Sequence, residues 1–439
     1  MSEIVQLKEC VVIDCVRTPI GKSSRKQMSR LGGAFRECSA QDLLITVLQE
    51  VINRTKERCK DFDPREIEDC HVGCLSQIGE QGGNIGRLAI LMAGLPQEIS
   101  GATVDRYCNS GLQAINTMCN TIKVGEGDIM LAAGVESMTH YKMAITLEIC
   151  AGIKNYPGPI YSSKMADLMK ILVSQGESAE MICDRYGFTR EEMDKFSMWS
   201  HQKATKAMRK EDEYFKRVVP VTFQKKYTNE KMEPILDENG KQIVEEVTVT
   251  EDQTVRTEYL DEPDKNWEIL CSLKPVFRSK RKGGRVTAGN SSQIVDGAAA
   301  TLLMSQEKAD ELGLKPMARI LSTAVAGDDP KIMLLAPIPA MRKALKRAGI
   351  TLDDVDCIEP NEAFASPCLA FAKDFNYDFD DPRVNPTGGA ISIGHPIGAS
   401  GVLYFTEMVH YLVNNKKHYG VQLLCGGGGV GISTVVECL

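Results

Sequence analysis

Two distant stretches of this 439-residue chain repeat one order of features, which constrains the fold more than any other property of the sequence. In the first, Cys108 precedes a glycine, a helical pattern over residues 112–124 and an apolar strand-like run ending in glycine. In the second, His395 precedes two glycines, a helical pattern over residues 402–413 and an apolar run that ends at Cys425 before more glycines. These echoes predict a duplicated α/β unit with a site between its halves.

The N-terminal part of the chain continues the alternation of strand and helix. Residues 10–15 form a short apolar run that predicts a buried strand, and Ser39 with Asp42 predicts the N-cap of a helix. A further strand is predicted over residues 67–75, and a further helix over residues 82–92. We therefore expect an α/β fold with a largely buried sheet.

The middle of the chain, from about residue 137 to 292, has a different texture. A polar helix is predicted over residues 190–208, and weak alternation in the charge-dense residues 230–265 predicts short strands. This texture indicates a lid or loop domain inserted into the first half. The predicted units are an N-terminal half of residues 1–137 plus 293–314, an inserted loop domain of residues 138–292, and a C-terminal half of residues 315–439.

Composition excludes several classes of protein. A hydrophobic content of 43% and a charged content of 25% are ordinary for a globular protein, and a net charge of −7 argues against nucleic acid as the main partner. No apolar run reaches the ~20 residues that a membrane span needs. The fifteen cysteines show no zinc-like spacing, so we expect reduced thiols and no metal site. The termini carry no recognisable targeting signal, so we expect a cytoplasmic protein, with peroxisomal and mitochondrial locations left open.

Cys108 is the strongest candidate for a nucleophile. It lies at or just before a predicted helix N-terminus, where unpaired backbone N–H groups and the helix dipole favour a thiolate. Its neighbours Ser110 and Gly111 are small and leave room for a substrate. For a cysteine taken alone, a buried structural thiol is the commoner interpretation.

Three other residues could serve this sulfur. His395 lies among glycines, Pro396 suits the first position of a helix, and a neutral imidazole there could take a thiol proton. Cys425 ends a predicted strand before four glycines. A glycine-rich phosphate loop must lead into a helix, but only one more strand is predicted after these glycines, so they are not such a loop. Cys425 is then a candidate acid/base thiol. Asn361 follows a strand-like run and could hold a water, although a turn asparagine is the plainer interpretation.

The basic cluster at residues 278–285 is the candidate for binding phosphate. It contains Arg278, Lys280 and Arg281. A solvated loop is the usual role of such a run, but a polyanionic ligand would be attracted by the same charges.

Seven segments, in order, resemble signatures of the thiolase family, and the resemblance runs over nearly the whole chain. The segments are residues 17–21, 108–111, 134–138, 287–290, 361–364, 394–401 and 425–427. The resemblance implies a five-layered α-β-α-β-α fold of two similar halves, with a loop domain inserted in the first. It also implies a homodimer or a homotetramer.

The resemblance assigns roles to the candidate residues. Cys108 would carry an acyl group, His395 would activate it, and Cys425 would move the proton at the α-carbon. Asn361, with a water and His395, would form one oxyanion hole. The backbone N–H groups of Cys108 and Gly427 would form the other.

The resemblance also implies the substrates. Ser292 matches a position that contacts the pantetheine arm of coenzyme A, which would be a substrate, and no permanently bound cofactor is expected. The expected reaction is ping-pong thiolysis of a 3-ketoacyl-CoA to acetyl-CoA and a shortened acyl-CoA, reversible as a Claisen condensation. Residues 174–176 read Ser-Gln-Gly instead of the His-Met-Gly typical of acetoacetyl-specific members, which favours a 3-ketoacyl-CoA thiolase over an acetoacetyl-CoA thiolase. An inactive thiolase-like protein that binds acyl-CoA or lipid is a further alternative.

Overall fold

The computed structural model describes residues 7–23, 33–141, 163–227 and 233–439. Its strands are β1 (Cys10–Arg17), β2 (Gly21–Lys22), β3 (Asp69–Gly73), β4 (Ala102–Val104), β5 (Ile129–Ser137), β6 (Val221–Lys226), β7 (Val244–Val249), β8 (Val295–Ser305), β9 (Ala318–Gly327), β10 (Cys357–Pro360), β11 (Tyr419–Gly426) and β12 (Val430–Cys438). Its α-helices are α1 (Ala40–Arg58), α2 (Ile85–Met92), α3 (Ser110–Lys123), α4 (Ser163–Ile171), α5 (Gln175–Tyr186), α6 (Arg190–Met208), α7 (Glu211–Arg217), α8 (Glu258–Asp261), α9 (Pro263–Ser272), α10 (Gln306–Glu311), α11 (Pro337–Ala348), α12 (Ala365–Phe375) and α13 (Ser400–Asn415).

Within these described ranges, ten strands form one mixed sheet in the order β10-β11-β12-β9-β1-β8-β5-β3-β4, with β2 paired to β8. Each half has a parallel pair, β3 with β5 and β10 with β11. Helix α3 leads into β5, and helix α13 leads into β11, so the duplication predicted from the sequence is confirmed. The two halves meet where β1 pairs with β9, at Val11 with Arg319 and Val12 with Ala318.

Three buried apolar clusters separate layers of helix and sheet. The first packs α1 and α2 against one face of the N-terminal strands. The central cluster contains α3 and α13, which contact strands of both halves. The third packs α11 and α12, together with α5 and α6 from the inserted segment, against the C-terminal strands. The N-terminal and C-terminal strands of the one sheet thus form two layers, with α3 and α13 between them and the other helices outside, which is the expected five-layered arrangement.

Most helix boundaries follow local signals. The Ser39 hydroxyl accepts the Asp42 N–H at 3.0 Å and begins α1, as predicted. Helix α6 has the predicted bounds and begins with a capping box between Thr189 and Glu192.

The sequence expectations are wrong in two places. Pro396 does not begin a helix: residues 396–399 form a turn in which the Gly398 N–H donates to the buried Glu136 carboxylate at 3.0 Å, and α13 begins at Ser400. In the charge-dense stretch, β7 pairs with β6 as expected, but α8 and the start of α9 are helical. Pro263 at the first position of α9 is the local signal for that helix.

A buried ion cluster ties the inserted segment to both halves. Arg17 of β1 donates to both carboxylate oxygens of Asp252, at 2.7 and 2.8 Å, and to Glu407 of α13 at 2.7 Å. Arg217 of α7 donates to both oxygens of Glu407 at 2.8 Å. Burial alone would raise the pKa of Glu407, but Arg217 and Arg17 lower that pKa to about 2. The cluster therefore depends on all of its charges being present together.

None of the helices in the described ranges is both long and apolar enough to cross a bilayer.

Candidate active site

Cys108 lies in the turn between β4 and α3, two residues before the helix begins. The Asp105 carboxylate accepts the Tyr107 N–H at 2.8 Å, and the Ser110 hydroxyl accepts the Arg106 N–H at 2.8 Å. Tyr107 has a φ of 54°, in the left-handed region that non-glycine residues rarely adopt. These bonds hold a strained turn that fixes the position of the Cys108 thiol.

A cavity of about 540 Å³ opens onto this thiol. Its wall includes Cys108 from the first half, His395 from the second half, and Gln175, Phe277 and Ser292 from the predicted loop domain. The structure thus brings the predicted nucleophile and the predicted histidine to one cavity, with side chains from all three predicted units.

The hydrogen bonds around His395 favour one tautomer. Its Nδ1 lies 2.7 Å from the Ser400 hydroxyl, and the oxygen of that hydroxyl lies 2.8 Å from the Pro396 carbonyl. A hydroxyl has one proton, so donation to this carbonyl leaves the Ser400 oxygen to accept from Nδ1–H, with the lone pair on Nε2. Nε2 is buried and has no hydrogen-bond partner among the described residues. Burial lowers the pKa of His395 to about 4, so the ring is a neutral base at physiological pH.

Burial raises the pKa of the Cys108 thiol to about 11, and the Gln175 amide lowers it in part. Desolvation of the sulfur therefore outweighs the helix N-terminus, which by itself favours a thiolate. With His395 neutral as well, the resting site holds a thiol and an imidazole instead of an ion pair. A reaction at this sulfur must remove its proton as the attack takes place.

The turn after β11 packs against the Cys108 turn. When the Asn109 amide is oriented so that both its oxygen and its nitrogen have suitable partners, its Nδ2–H groups donate to the carbonyls of Cys425 at 2.9 Å and Leu424 at 3.1 Å. A methyl group added to Gly427 would lie 3.5 Å from the Tyr107 ring. Burial, and then the charge of Cys108, raise the pKa of Cys425 well above its usual range. Cys425 and Gly427 therefore lie beside the nucleophile, although the Cys425 side chain is 1% exposed and does not line the cavity.

Asn361 lies at the end of β10, where its N–H donates to the Leu423 carbonyl at 3.0 Å. Its side-chain amide acts against the effect of burial on the pKa of Cys425. Both polar atoms of that amide are buried without a hydrogen-bond partner in the described part of the chain. Such an amide is available to a ligand or a water.

The four candidate contacts to coenzyme A are placed differently. Ser292 lines the cavity, and its N–H donates to the Ala363 carbonyl at 3.0 Å. The Arg278 guanidinium donates to Glu177 at 2.8 Å and to Asp184 at 2.5 Å, both on α5. It therefore braces that helix.

Lys280 and Arg281 are exposed, in the short turn that follows Phe277 and Arg278. Across the described ranges, no group of three or more His, Cys, Asp or Glu side chains is arranged to hold a metal ion.

Two residues of the site had no role predicted from the sequence. Ser400 is five residues beyond His395, and its hydrogen bond to the ring depends on the turn between them, which the sequence patterns did not predict. Gln175 Nε2 lies 3.9 Å from Cys108 Sγ, across a separation of 67 residues. The one sequence signal for Gln175 was the unusual Ser-Gln-Gly at residues 174–176.

Comparisons with known proteins match both parts of the chain. Residues 10–307 match the family model "Thiolase, N-terminal domain", and residues 314–438 match "Thiolase, C-terminal domain". A protein from Idiomarina loihiensis named 3-ketoacyl-CoA thiolase is 40% identical over 433 residues, covering 98% of this chain and 100% of that protein. A protein of the same name from Aliivibrio fischeri is 38% identical over 432 residues, with the same coverage. The crystal structure of the Bacillus anthracis acetyl-CoA acetyltransferase matches with a TM-score of 0.80 and 32% identity, covering 99% of this chain and 100% of that chain.

Proposed function

Because this chain belongs to the thiolase family, we propose that it cleaves 3-ketoacyl-CoA with coenzyme A through an acyl group carried on Cys108. The observation that carries the proposal is one cavity lined by a thiol and by a neutral imidazole whose Nε2 has no hydrogen-bond partner among the described residues. The chain is then an acyltransferase whose reaction shortens an acyl chain by one acetyl unit, as fatty acid β-oxidation requires. Relatives that share about two-fifths of its residues carry the name 3-ketoacyl-CoA thiolase, which supports this substrate class.

In the first half-reaction, the Cys108 sulfur attacks the 3-keto carbon, and the thiol proton passes to His395 Nε2. The bond between C2 and C3 then breaks, and its electron pair remains on the acetyl-CoA fragment as an enolate. The acyl group stays on the sulfur as a thioester. The Cys425 thiol donates the proton that converts the enolate to acetyl-CoA, which leaves Cys425 as a thiolate.

In the second half-reaction, the thiol of coenzyme A attacks the acyl-Cys108 thioester and gives its proton to the Cys425 thiolate. The bond between the acyl carbon and Cys108 breaks, and its electron pair goes to the sulfur. Cys108 then recovers its proton from the His395 imidazolium. Both sulfurs and the imidazole return to their starting states, and the same steps in reverse give the Claisen condensation.

Negative charge develops on a carbonyl oxygen in each half-reaction, and it needs hydrogen-bond donors fixed in advance. We propose that Asn361, through a water, and His395 form one set of donors, and that the N–H groups of Cys108 and Gly427 form the other. Two observations support these assignments: the buried Asn361 amide has no hydrogen-bond partner in the described part of the chain, and Gly427 lies against Tyr107.

At the other end of the ligand, Ser292 would contact the pantetheine arm, and Lys280 and Arg281 would meet the phosphates of coenzyme A. The exposed turn that carries these two cations directly follows Phe277, which lines the cavity. Because Arg278 already contacts two carboxylates, its contribution to the phosphates is expected to be smaller than that of Lys280 and Arg281.

A second candidate function is acetoacetyl-CoA thiolase activity. The matching crystal structure is that of an acetyl-CoA acetyltransferase, and the same sulfur, imidazole and thiol serve either acyl length. The remaining, non-enzymatic alternative is a thiolase-like protein that binds acyl-CoA or lipid and has no catalytic activity.

We also propose a homodimer that forms along the β4 edge of the sheet. Strand β4 ends the strand order, and the neighbouring α2 exposes Leu88, Leu91 and Met92 by 38%, 47% and 44%. An edge strand beside exposed apolar side chains favours pairing with a second chain.

Steady-state thiolysis of acetoacetyl-CoA and of medium- and long-chain 3-ketoacyl-CoA tests the function. The expected result is a higher kcat/KM for the longer substrates, and abolished turnover with all of them in C108A. The control is C119A, which removes a different buried thiol, that of Cys119 in α3. A preference for acetoacetyl-CoA supports acetoacetyl-CoA thiolase activity. Tight binding of acyl-CoA without turnover refutes the proposed enzymatic activity.

A further inference from the structure

Gln175 extends from the inserted segment to the Cys108 sulfur. It is the first residue of α5, and the preceding Ser174 caps the helix by accepting the Glu177 N–H at 3.2 Å. Its side chain lines the cavity, with Nε2 3.9 Å from Cys108 Sγ, within reach of an N–H···S hydrogen bond.

The packing around α5 fixes this position. A methyl group on Gly176 would lie 2.3 Å from the Phe277 ring, so helix and ring are in direct contact, and Phe277 packs edge-to-face on Phe364 at 5.9 Å. Arg278 donates to Glu177 at 2.8 Å, which anchors the same first turn of the helix. The Gln175 amide is therefore held over the sulfur by contacts on two sides.

We propose that Gln175 is a catalytic residue whose amide N–H donates to the Cys108 sulfur whenever that sulfur carries negative charge. This role rests on the proposed function, in which the charge appears twice. It develops as the thiol loses its proton to attack, and again when coenzyme A displaces the acyl group. A hydrogen bond to an ionised acceptor is about twice as strong as one between neutral groups, so the amide favours the thiolate over the thiol or thioester.

The electrostatics of the site create the need for this donor. Burial raises the pKa of Cys108 to about 11 and lowers the pKa of His395 to about 4, so the imidazole of the resting site carries no positive charge that would favour ionisation of the thiol. The amide of Gln175 acts against the effect of burial. Since an amide does not titrate, its hydrogen bond is present across the whole working range of pH.

The test is the rate at which iodoacetamide alkylates Cys108 as a function of pH, read by tandem mass spectrometry of the peptide that contains it. Q175M has a similar length and no N–H donor, whereas Q175E places a carboxylate beside the sulfur. The loss of the donor is expected to raise the midpoint of the Q175M profile by about one pH unit, which slows alkylation below the midpoint about tenfold. Q175E is expected to shift the midpoint further in the same direction.

The matched control is Q306M. Gln306 is also the first residue of a helix capped by a serine, Ser305, and its amide donates to Asp310 at 2.7 Å away from the cavity. Its alkylation profile is expected to coincide with that of the unchanged protein.

A second readout separates a role at the sulfur from a role in substrate binding. Q175M is expected to lower kcat about tenfold with little change in KM, since the donor acts on the charged sulfur. Unchanged alkylation midpoints in both Q175M and Q175E would overturn the inference, as would a raised KM with no change in the alkylation profile. Alkylation needs no substrate, so the two proposals can fail separately. If the unchanged protein does not cleave 3-ketoacyl-CoA but the Gln175 variants show the shifted midpoints, the proposed function is refuted and the hydrogen bond to the sulfur is supported.

Discussion

Replacing Ser400 with alanine tests how the fold keeps His395 as a base. The Ser400 hydroxyl accepts the proton of His395 Nδ1 at 2.7 Å and donates its own to the Pro396 carbonyl at 2.8 Å. In S400A the Nδ1–H of His395 loses its acceptor within a buried site, whereas the Pro396 carbonyl still accepts the backbone N–H groups of Ala399 and of residue 400. The ring is then free to carry its proton on Nε2, and in that tautomer it presents no lone pair to the cavity.

The size of the effect follows from the hydrogen bond to the ring. An unsatisfied buried donor costs about 1–3 kcal/mol, so the loss of the acceptor of Nδ1–H lowers the free energy of unfolding by about that amount. Loss of the bond that selects the active tautomer, worth about 1–3 kcal/mol, lowers kcat by about 10- to 100-fold. The KM for acyl-CoA is expected to change little, because Ser400 does not line the cavity.

Urea unfolding and steady-state thiolysis measure the two effects separately. The control is S322A, which removes another buried hydroxyl, one that donates to the Ala344 carbonyl at 2.7 Å in the C-terminal half. S322A is expected to lose stability while its kcat stays within about twofold of the unchanged protein, since its lost bond of about 1 kcal/mol is remote from the imidazole. If S400A and S322A lose stability alike and both keep their kcat, Ser400 does not set the tautomer of His395.

Two further predictions concern stability and assembly. E407Q leaves Arg17 and Arg217 without their shared carboxylate, and it is expected to lower the free energy of unfolding by about 3–5 kcal/mol in urea titrations at pH 7. The control is E311Q, at the surface pair of Glu311 with Lys308, which is expected to change that free energy by about 1 kcal/mol or less. The pKa of Glu407 is about 2 in the folded protein and about 4.3 in the unfolded chain, so its carboxylate stabilises the fold above pH ~4.3 and loses that effect as the pH falls towards 2. The difference in free energy of unfolding between wild type and E407Q should therefore become smaller in acid. L91K, on the exposed face of α2, is expected to convert the dimer to monomer in light scattering; an unchanged mass places the interface elsewhere.

The elements of the fold were predictable where their signals are local. The bounds of α6 follow from its apolar spacing and from the Thr189 cap, and β1 follows from its run of apolar residues. The turn at residues 396–399 was not predictable in this way. It contains a hydrogen bond between Gly398 and Glu136, which lie 262 residues apart and carry no joint signal in one sequence.

The same distinction applies to the site. Residue type and position in the chain indicated Cys108 and His395, and the cavity contains both. The helix N-terminus beside Cys108 is visible in the sequence, whereas the burial that raises the pKa of its thiol is a property of the folded chain. The carboxylates that hold Arg278 lie about a hundred residues before it, so a count of local charges overstated its freedom to bind phosphate.

The two halves can bring their reactive residues to one cavity because their central helices approach at the level of the backbone. A methyl group on Gly401, in the first turn of α13, would lie 2.0 Å from the Leu112 N of α3, and one on Gly111 would lie 2.8 Å from the Gly398 carbonyl. Glycine is therefore required on both sides of the contact, since any side chain would push the helices apart. Cys108 precedes one of these helix starts and His395 the other, so the distance between sulfur and imidazole is set by the closeness of this contact. The repeated glycines of the sequence are thus the residues that allow two similar halves to share one site.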